Sequence, residues 1–430
     1  MLLSITYVVL FLSFMNLLRI GLFLVGSDIY DIKNSLSARK KAKLAVDHKR
    51  RHSPLVTVLV PAHNEELVLH RNLNSILNST YKNIELIVIN DSSTDRTYRI
   101  ARTFQQLNSH RFKRIKVINV QVRGKASALN AGLKYASGSL FMCLDADSVL
   151  TPSTITMAVK DFVNPKLACV ASNVKIFPGK GALNLFQRIE YLVGYQAKKT
   201  ESLADMQYIV GGVGSMFRTK LVKKLGGYDT DTITEDIDLS MKILSKYGRK
   251  YLIGYNPQII TYTEAAPDIG GLMRQRFRWK YGRYQSFLKH RNLFFAKGNN
   301  SNKVLGWIYL PYALISELTS ILELFTFILI TILLVQYGDI NIIIASFITF
   351  TAYTVMNITA ATSGYSLNER LKFIAAAPIT YLGMYVLSIV EYSATIYGFM
   401  NLRRIYIHHK TGLGSSEWKH IERSGDAVIT

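Results

Sequence analysis

Acidic and basic side chains recur at a few places where a run of β-branched residues gives way to a polar turn. His63-Asn64-Glu65 follows Val56–Pro61, Asp91-Ser92-Ser93-Thr94-Asp95 follows Ile84–Asn90, and Asp145-Ala146-Asp147 follows Ser139–Leu144. Converging carboxylates without a balancing base are costly to desolvate unless a cation sits among them, so a divalent metal, Mg²⁺ or Mn²⁺, is implied. For Asp145 and Asp147 the competing reading is a turn or helix cap. Lys125, just after Gly124, opens the helical stretch KASALNAG, where an ammonium and free helix amides suit an anion; a solvated first-turn lysine is the alternative. Asp236 in Thr-Glu-Asp is placed to act as a general base, or as one acid in the first turn of a helix capped by Thr234. Gln275-Arg276-Phe277-Arg278-Trp279 combines an amide, cations and an indole on a stretch that reads as an amphipathic helix.

The elements that must position these groups read as alternating strand and helix. Strands are expected at Val56–Pro61, Ile84–Asn90, Ile115–Val120 and Ser139–Leu144, with helices at Glu66–Leu77, Asp95–Leu107 and Ala126–Ala136. Such alternation predicts an α/β fold, a Rossmann-like, mostly parallel sheet covered on both faces. Ligands of these sheets bind at the carboxyl ends of the strands, where the three polar turns fall.

Composition sets the surroundings. The chain has 430 residues, 49% hydrophobic and 19% charged, with 52 Lys+Arg against 29 Asp+Glu and a net charge of +23. That excludes a disordered chain and is too apolar for an ordinary soluble enzyme of such charge. The two cysteines, Cys143 and Cys169, form no disulfide framework, which points to a reducing compartment. Residues 304–400 hold only Arg370 and Lys372 against Glu317, Glu323, Asp339, Glu369 and Glu391, so the positive excess lies in residues 26–303. Nucleic acid is the first partner such charge suggests. The membrane surface is the better one, because basic runs flank apolar segments: Lys33–Arg51 follows the apolar Leu2–Val25, and Arg274–Lys303 precedes apolar stretches at 305–336, 341–362 and 372–400. The positive-inside rule then puts the central domain in the cytoplasm.

With these residues in view, the chain resembles family-2 inverting glycosyltransferases. VPAHNEE, NDSSTD, RGKASALNAG, DAD, TED and QRFRW occur in the family's order over about residues 54–285. The last, of the form Q-x-x-R-W, is typical of membrane-embedded polysaccharide synthases that make poly-N-acetylglucosamine, hyaluronan, chitin or cellulose. The resemblance implies a GT-A fold and a UDP-sugar donor, UDP-N-acetylglucosamine first and UDP-glucose second, with a polysaccharide or lipid acceptor. It implies that Asp147, with Asp145, holds the metal beside the diphosphate, that Asp145 also faces the ribose and Asp91 the uracil edge, and that His63 and Glu65 line the nucleotide pocket. Lys125 and Arg278 would face the diphosphate, Gln275 the donor or acceptor and Trp279 the acceptor sugar, and Asp236 would take the acceptor's proton; Gly212, in the glycine-rich stretch Gly211–Ser215, would let a sugar approach the backbone, with a plain turn as the equal alternative. For Arg278 and Trp279 the alternative is a plain interfacial anchor, the reading adopted for Arg274, Arg276 and Lys280.

The expected organisation is a transmembrane helix at 1–26, a basic linker at 27–53, the catalytic domain at 54–285, a second basic linker at 286–303, a helix bundle at 304–400 and a basic tail at 401–430. Glu317, Glu323 and Glu391 stand as candidates for a polar path, and Trp418 as a tail contact. A same-fold enzyme making a lipid-linked sugar, or a transporter with an inactive domain, are the alternatives.

Overall fold

The computed structural model describes residues 53–122, 124–317, 340–361 and 365–411, with 18–19, 21–36 and the single positions 11, 332 and 336. The expected N-terminal span, most of the stretch at 305–336, Glu323 and Trp418 lie largely or wholly outside the described residues.

Strands β1 (Val56–Ala62), β2 (Ile84–Asp91), β3 (Arg114–Val120) and β4 (Leu140–Cys143) stand where the apolar runs placed them. Every residue of β1, β2 and β4 is buried, because helices cover both faces and leave no polar side to the strand. Alternate residues serve opposite layers: Leu59 and Ile87 pack with Leu129 and Phe141, while Val58 and Val60 pack with Leu73 and Phe104. Helices α2 (Leu69–Leu77), α3 (Thr97–Asn108) and α4 (Lys125–Tyr135) alternate with these strands. The first two begin two or three residues later than expected. The Glu65 carbonyl draws the Val68 and Leu69 N–H groups into a turn, and the Asp95 carboxylate takes the Thr97 N–H at 2.9 Å.

The eight-stranded sheet has the order β3-β2-β1-β4-β7-β6-β8-β5. β5 (Val149–Leu150), β6 (Leu167–Ile176), β7 (Ser215–Arg218) and β8 (Leu252–Thr263) complete it, with α5 (Thr154–Asp161), α6 (Ala182–Leu203), α7 (Thr219–Lys224) and α8 (Glu235–Tyr247) between them. Here the expectation of a mostly parallel sheet is corrected to a mixed one. β7 runs antiparallel to both β4 and β6, and β5 antiparallel to β8, whereas β3, β2, β1 and β4 are parallel throughout.

Helix α9 (Ile269–Lys289) runs through position 285 and crosses α8. Helix α1 (residues 21–36) docks on α6, where Thr200 donates to the Phe23 carbonyl at 2.7 Å and Lys199 meets Asp31 at 2.6 Å. Residues 303–317 form α10, followed by α11 (Ile340–Ala360), α12 (Leu367–Met400) and α13 (Leu402–Thr411). Among the described residues no single helix is long and apolar enough to cross a membrane. Two arms of α12, Leu367–Thr380 and Tyr385–Met400, together have the length and apolar composition of one span, and they bend by 71° just past Pro378, which cannot donate to the helical ladder.

Candidate active site

Parallel pairing brings the three polar turns to one edge of the sheet, since Ala62 lies beside Asn90 and Leu59 beside Cys143. The first group is more structural than its sequence suggested. Asp91 is fully buried, and its carboxylate accepts the N–H groups of Gly124 at 2.8 Å and Val122 at 3.1 Å. A buried carboxylate must find donors, and here the loop ahead of α4 supplies them. Through these bonds Asp91 anchors the loop that delivers Lys125. His63 Nδ1 lies 2.5 Å from the Asp91 carbonyl, and the Glu65 N–H donates to Thr97 Oγ1 at 2.8 Å. His63 stays half-buried at the mouth of this group, and Glu65 is buried behind it.

The second group is the centre of the site. Lys125 Nζ lies 2.7 Å from Asp145 Oδ1 and 2.9 Å from Glu235 Oε1, joining the end of β4 to the start of α8. Burial pulls the ammonium toward neutrality, but Asp145 and Glu235 outweigh it and hold the lysine protonated. Burial pushes the Asp145 carboxyl above its ordinary range, against the pull of Lys125. The Lys125 ammonium is thus the shared partner of Asp145 Oδ1 and Glu235 Oε1. Asp147 is buried and accepts from Ser148 Oγ at 2.8 Å. The two aspartates are hard oxygen donors at one strand end, which fits Mg²⁺ or Mn²⁺.

Asp236 is held rigidly. Its Oδ2 accepts the Gly212 N–H at 2.7 Å and its Oδ1 the Ile237 N–H at 2.8 Å. Gly212 belongs to the turn into β7, whose Gly214 N–H is tied to the Cys143 carbonyl at 2.8 Å. A Cβ at Gly212 would lie 3.1 Å from Lys125 Nζ and 3.5 Å from Asp236 Oδ2, so the glycine keeps open the space between them. Thr234 occupies the N-cap position of α8, yet its hydroxyl makes no capping bond. The reading of this motif as a side-chain cap alone is therefore corrected. Thr234 instead packs against Gly282 of α9.

On α9, Gln275 has a buried Oε1 without a hydrogen-bond partner among the described residues, and Arg278 is exposed. Trp279 is half-buried and its ring is already covered on one face by the Arg276 guanidinium at 4.7 Å. Neither Arg278 nor Trp279 hydrogen-bonds the Lys125–Asp145–Glu235 cluster. The expectation that Arg276 and Lys280 are surface anchors is overturned. Arg276 is buried and paired with Glu190 at 2.7 Å and Glu391 at 3.1 Å, and Lys280 pairs with Glu317 at 2.5 Å and Glu391 at 3.3 Å. Glu317 and Glu391, considered above for a polar path, are the counter-ions of α9. Asp229, Asp231 and Asp238 also cluster, but Lys289 Nζ sits among them, 2.6–3.2 Å from each.

The structure thus brings Lys125, Asp145, Gly212 and Asp236 together, with Asp147 beside them and His63, Glu65 and Asp91 at the neighbouring strand ends. Glu235 was missed as a partner of Lys125, although it stands in the same motif as Asp236. The acids that neutralise α9 carried no local signal.

Residues 57–226 match the profile of Glycosyl transferase family 2, so the chain carries a domain of that family. It is homologous to poly-β-1,6-N-acetyl-D-glucosamine synthases. The Staphylococcus epidermidis synthase is 33% identical over 282 residues, 65% of this chain and 66% of that protein, and the Staphylococcus aureus (strain COL) synthase 32% over 272 residues, 62% and 63%. The aligned part falls just short of two thirds of these relatives' lengths. Among solved structures, a mannosyltransferase from Pyrobaculum calidifontis, in complex with GDP-Man and Mn²⁺, superposes with a TM-score of 0.57 at 20% identity, covering 89% of this chain and 99% of that one, and shares the fold.

Proposed function

We propose that this chain is an inverting glycosyltransferase that moves N-acetylglucosamine from UDP-N-acetylglucosamine onto a growing β-linked polysaccharide at the cytoplasmic face of the cell membrane. The observation that carries the reading is the junction of Lys125, Asp145 and Asp236 around Gly212, which sets an anion-binding cation and a fixed carboxylate on either side of one glycine. The named activity of the homologues supports N-acetylglucosamine and a polymeric product over glucose or a lipid-linked sugar.

In this reading His63, Glu65 and the loop anchored by Asp91 frame the nucleotide, and Lys125 meets the diphosphate. Asp145 and Asp147 would hold Mg²⁺ or Mn²⁺, which when bound supplies charge neutralisation for the departing diphosphate. Asp236 accepts the proton of the acceptor hydroxyl; its two backbone N–H partners fix the carboxylate's direction before the acceptor arrives. Gln275 Oε1, buried without a hydrogen-bond partner among the described residues, accepts from a sugar hydroxyl, Arg278 adds positive charge, and Trp279 offers its remaining face to a sugar ring. Membrane attachment is supported by the apolar residues that α12 leaves exposed, Ile379, Ile389 and Met400 among them, and by the bent pair of arms.

The test is incubation of the purified full chain, in lipid nanodiscs, with radiolabelled UDP-N-acetylglucosamine or UDP-glucose and Mg²⁺ or Mn²⁺, followed by sizing of the product. Labelled N-acetylglucosamine polymer is expected. Incorporation of glucose alone, or label confined to lipid, would overturn the assigned donor or acceptor.

A further inference from the structure

Asp238 stands two residues beyond Asp236 on α8 and therefore points to the far side of the helix, away from the cleft. It is fully buried, with its Oδ1 2.9 Å from His290 Nε2 and 3.2 Å from Lys289 Nζ. Lys289 also reaches Asp229 at 2.7 Å and Asp231 at 2.6 Å, so this acidic cluster holds an ammonium of its own. Two further contacts join the same stretches. Gln285 Oε1 accepts the Ile233 N–H at 3.0 Å, and Gly282 is bare where Thr234 packs against it, a Cβ there overlapping the threonine hydroxyl and methyl. All of these contacts come from the C-terminal half of α9 and its cap; those to Ile233, Thr234 and Asp238 end at or just beside the first turn of α8, and those to Asp229 and Asp231 in the loop ahead of it. The N-terminal half of the same helix carries Gln275, Arg278 and Trp279. Arg278 and His290 are about 18 Å apart along a helix of this pitch.

We infer that Asp238 and His290 are positioning residues, which through α9 set the place of the Asp236 carboxylate relative to the groups that hold the donor and acceptor. The inference rests on Asp236 being the base. In the transfer, the acceptor O–H proton passes to Asp236, the oxygen forms its bond to C1, and the C1–O bond to the diphosphate breaks with its electron pair leaving on UDP. If the carboxylate drifts from the acceptor hydroxyl while the donor stays bound, water can replace the acceptor, and UDP is released without glycan growth.

The experiment compares Asp238→Asn, His290→Leu and His290→Gln with the unaltered full chain. It measures UDP release and polymer formation from UDP-N-acetylglucosamine in parallel, with donor binding by calorimetry. For Asp238→Asn and His290→Leu, polymer formation should fall about 10- to 100-fold while donor affinity holds within about twofold. The share of UDP released without incorporation should rise. His290→Gln, whose side-chain amide can still donate to Asp238, should recover most of the incorporation. With an active parent enzyme, loss of polymer and UDP release in the same proportion, or unchanged coupling in both disruptive variants, would overturn the positioning role. A parent chain that releases no UDP at all would instead remove the proposed function, and the inference with it.

Discussion

The backbone N–H of Gly212 points at Oδ2 of Asp236 from 2.7 Å, and the missing Gly212 side chain leaves room for Lys125 beside both. One residue thus aims the carboxylate and keeps clear the gap between it and the cation. A Cβ there would be 3.1 Å from the ammonium, tighter than ordinary contact, so Lys125 must retreat. Gly212→Ala should keep the fold and the thermal midpoint but weaken UDP-N-acetylglucosamine binding about tenfold, as a displaced charge-assisted contact would. Calorimetry and a melting curve on the same preparation check this, and unchanged donor affinity would separate Gly212 from the diphosphate site.

The aspartates at the end of β4 make metal dependence a direct expectation. EDTA should stop transfer, with Mg²⁺ or Mn²⁺ restoring it. Asp147→Asn should lower turnover by about 10²–10³, because charge developing on the diphosphate loses its fixed counter-charge. Full activity in excess EDTA would remove the metal from the account.

Gly282 and Thr234 offer a packing test. Gly282→Ala forces a methyl group into the threonine side chain where α9 crosses the start of α8. Overpacking of this kind costs about 1–3 kcal/mol. Adding Thr234→Ala should recover most of it, and denaturation of the single and double variants gives the coupling.

A buried lysine sets part of the pH dependence of stability. Lys175 is 1% exposed, lies under the Tyr365 ring at 3.3 Å, and is brought down to about 7 by burial, with Glu369 opposing the shift and Arg188 adding to it. In the unfolded chain it titrates near its ordinary value of about 10.4. Between these values the unfolded state binds a proton that the fold does not, so this group's contribution to stability increases as pH rises above 7 and falls as pH drops toward 7. The slope is at most about 1.4 kcal/mol per pH unit. Lys175→Met should remove it, so the variant should gain least over the parent near pH 9 and most at pH 7. Unfolding midpoints across that range measure the difference.

Legibility followed burial. β1, β2 and β4 are covered on both faces, and their apolar runs, broken only near the start by Thr57 and Glu85, identified them and the turns at their ends. β6 was less readable because its run is broken by Ser172 and Asn173, which are buried all the same. Their side chains donate to the Val213 and Pro257 carbonyls. The acids of the site were legible from type and spacing, but their pairings were not. That Asp91 serves two loop amides, or that Lys125 bridges Asp145 and Glu235, depends on how loops close after the strands are set. Arg276 and Lys280 looked like a basic membrane edge because Glu190, Glu317 and Glu391 reach them from three elements distant in sequence.

The central claim is that Asp236 removes the acceptor proton while the donor is held elsewhere. Asp236→Asn keeps the side-chain shape and can still accept the Gly212 N–H through its remaining oxygen, but it cannot take a proton from a hydroxyl. Calorimetry with UDP-N-acetylglucosamine, run beside initial transfer rates, should show donor affinity within about twofold of the parent and a rate lower by about 10²–10⁴. Near-normal turnover in Asp236→Asn would contradict the account.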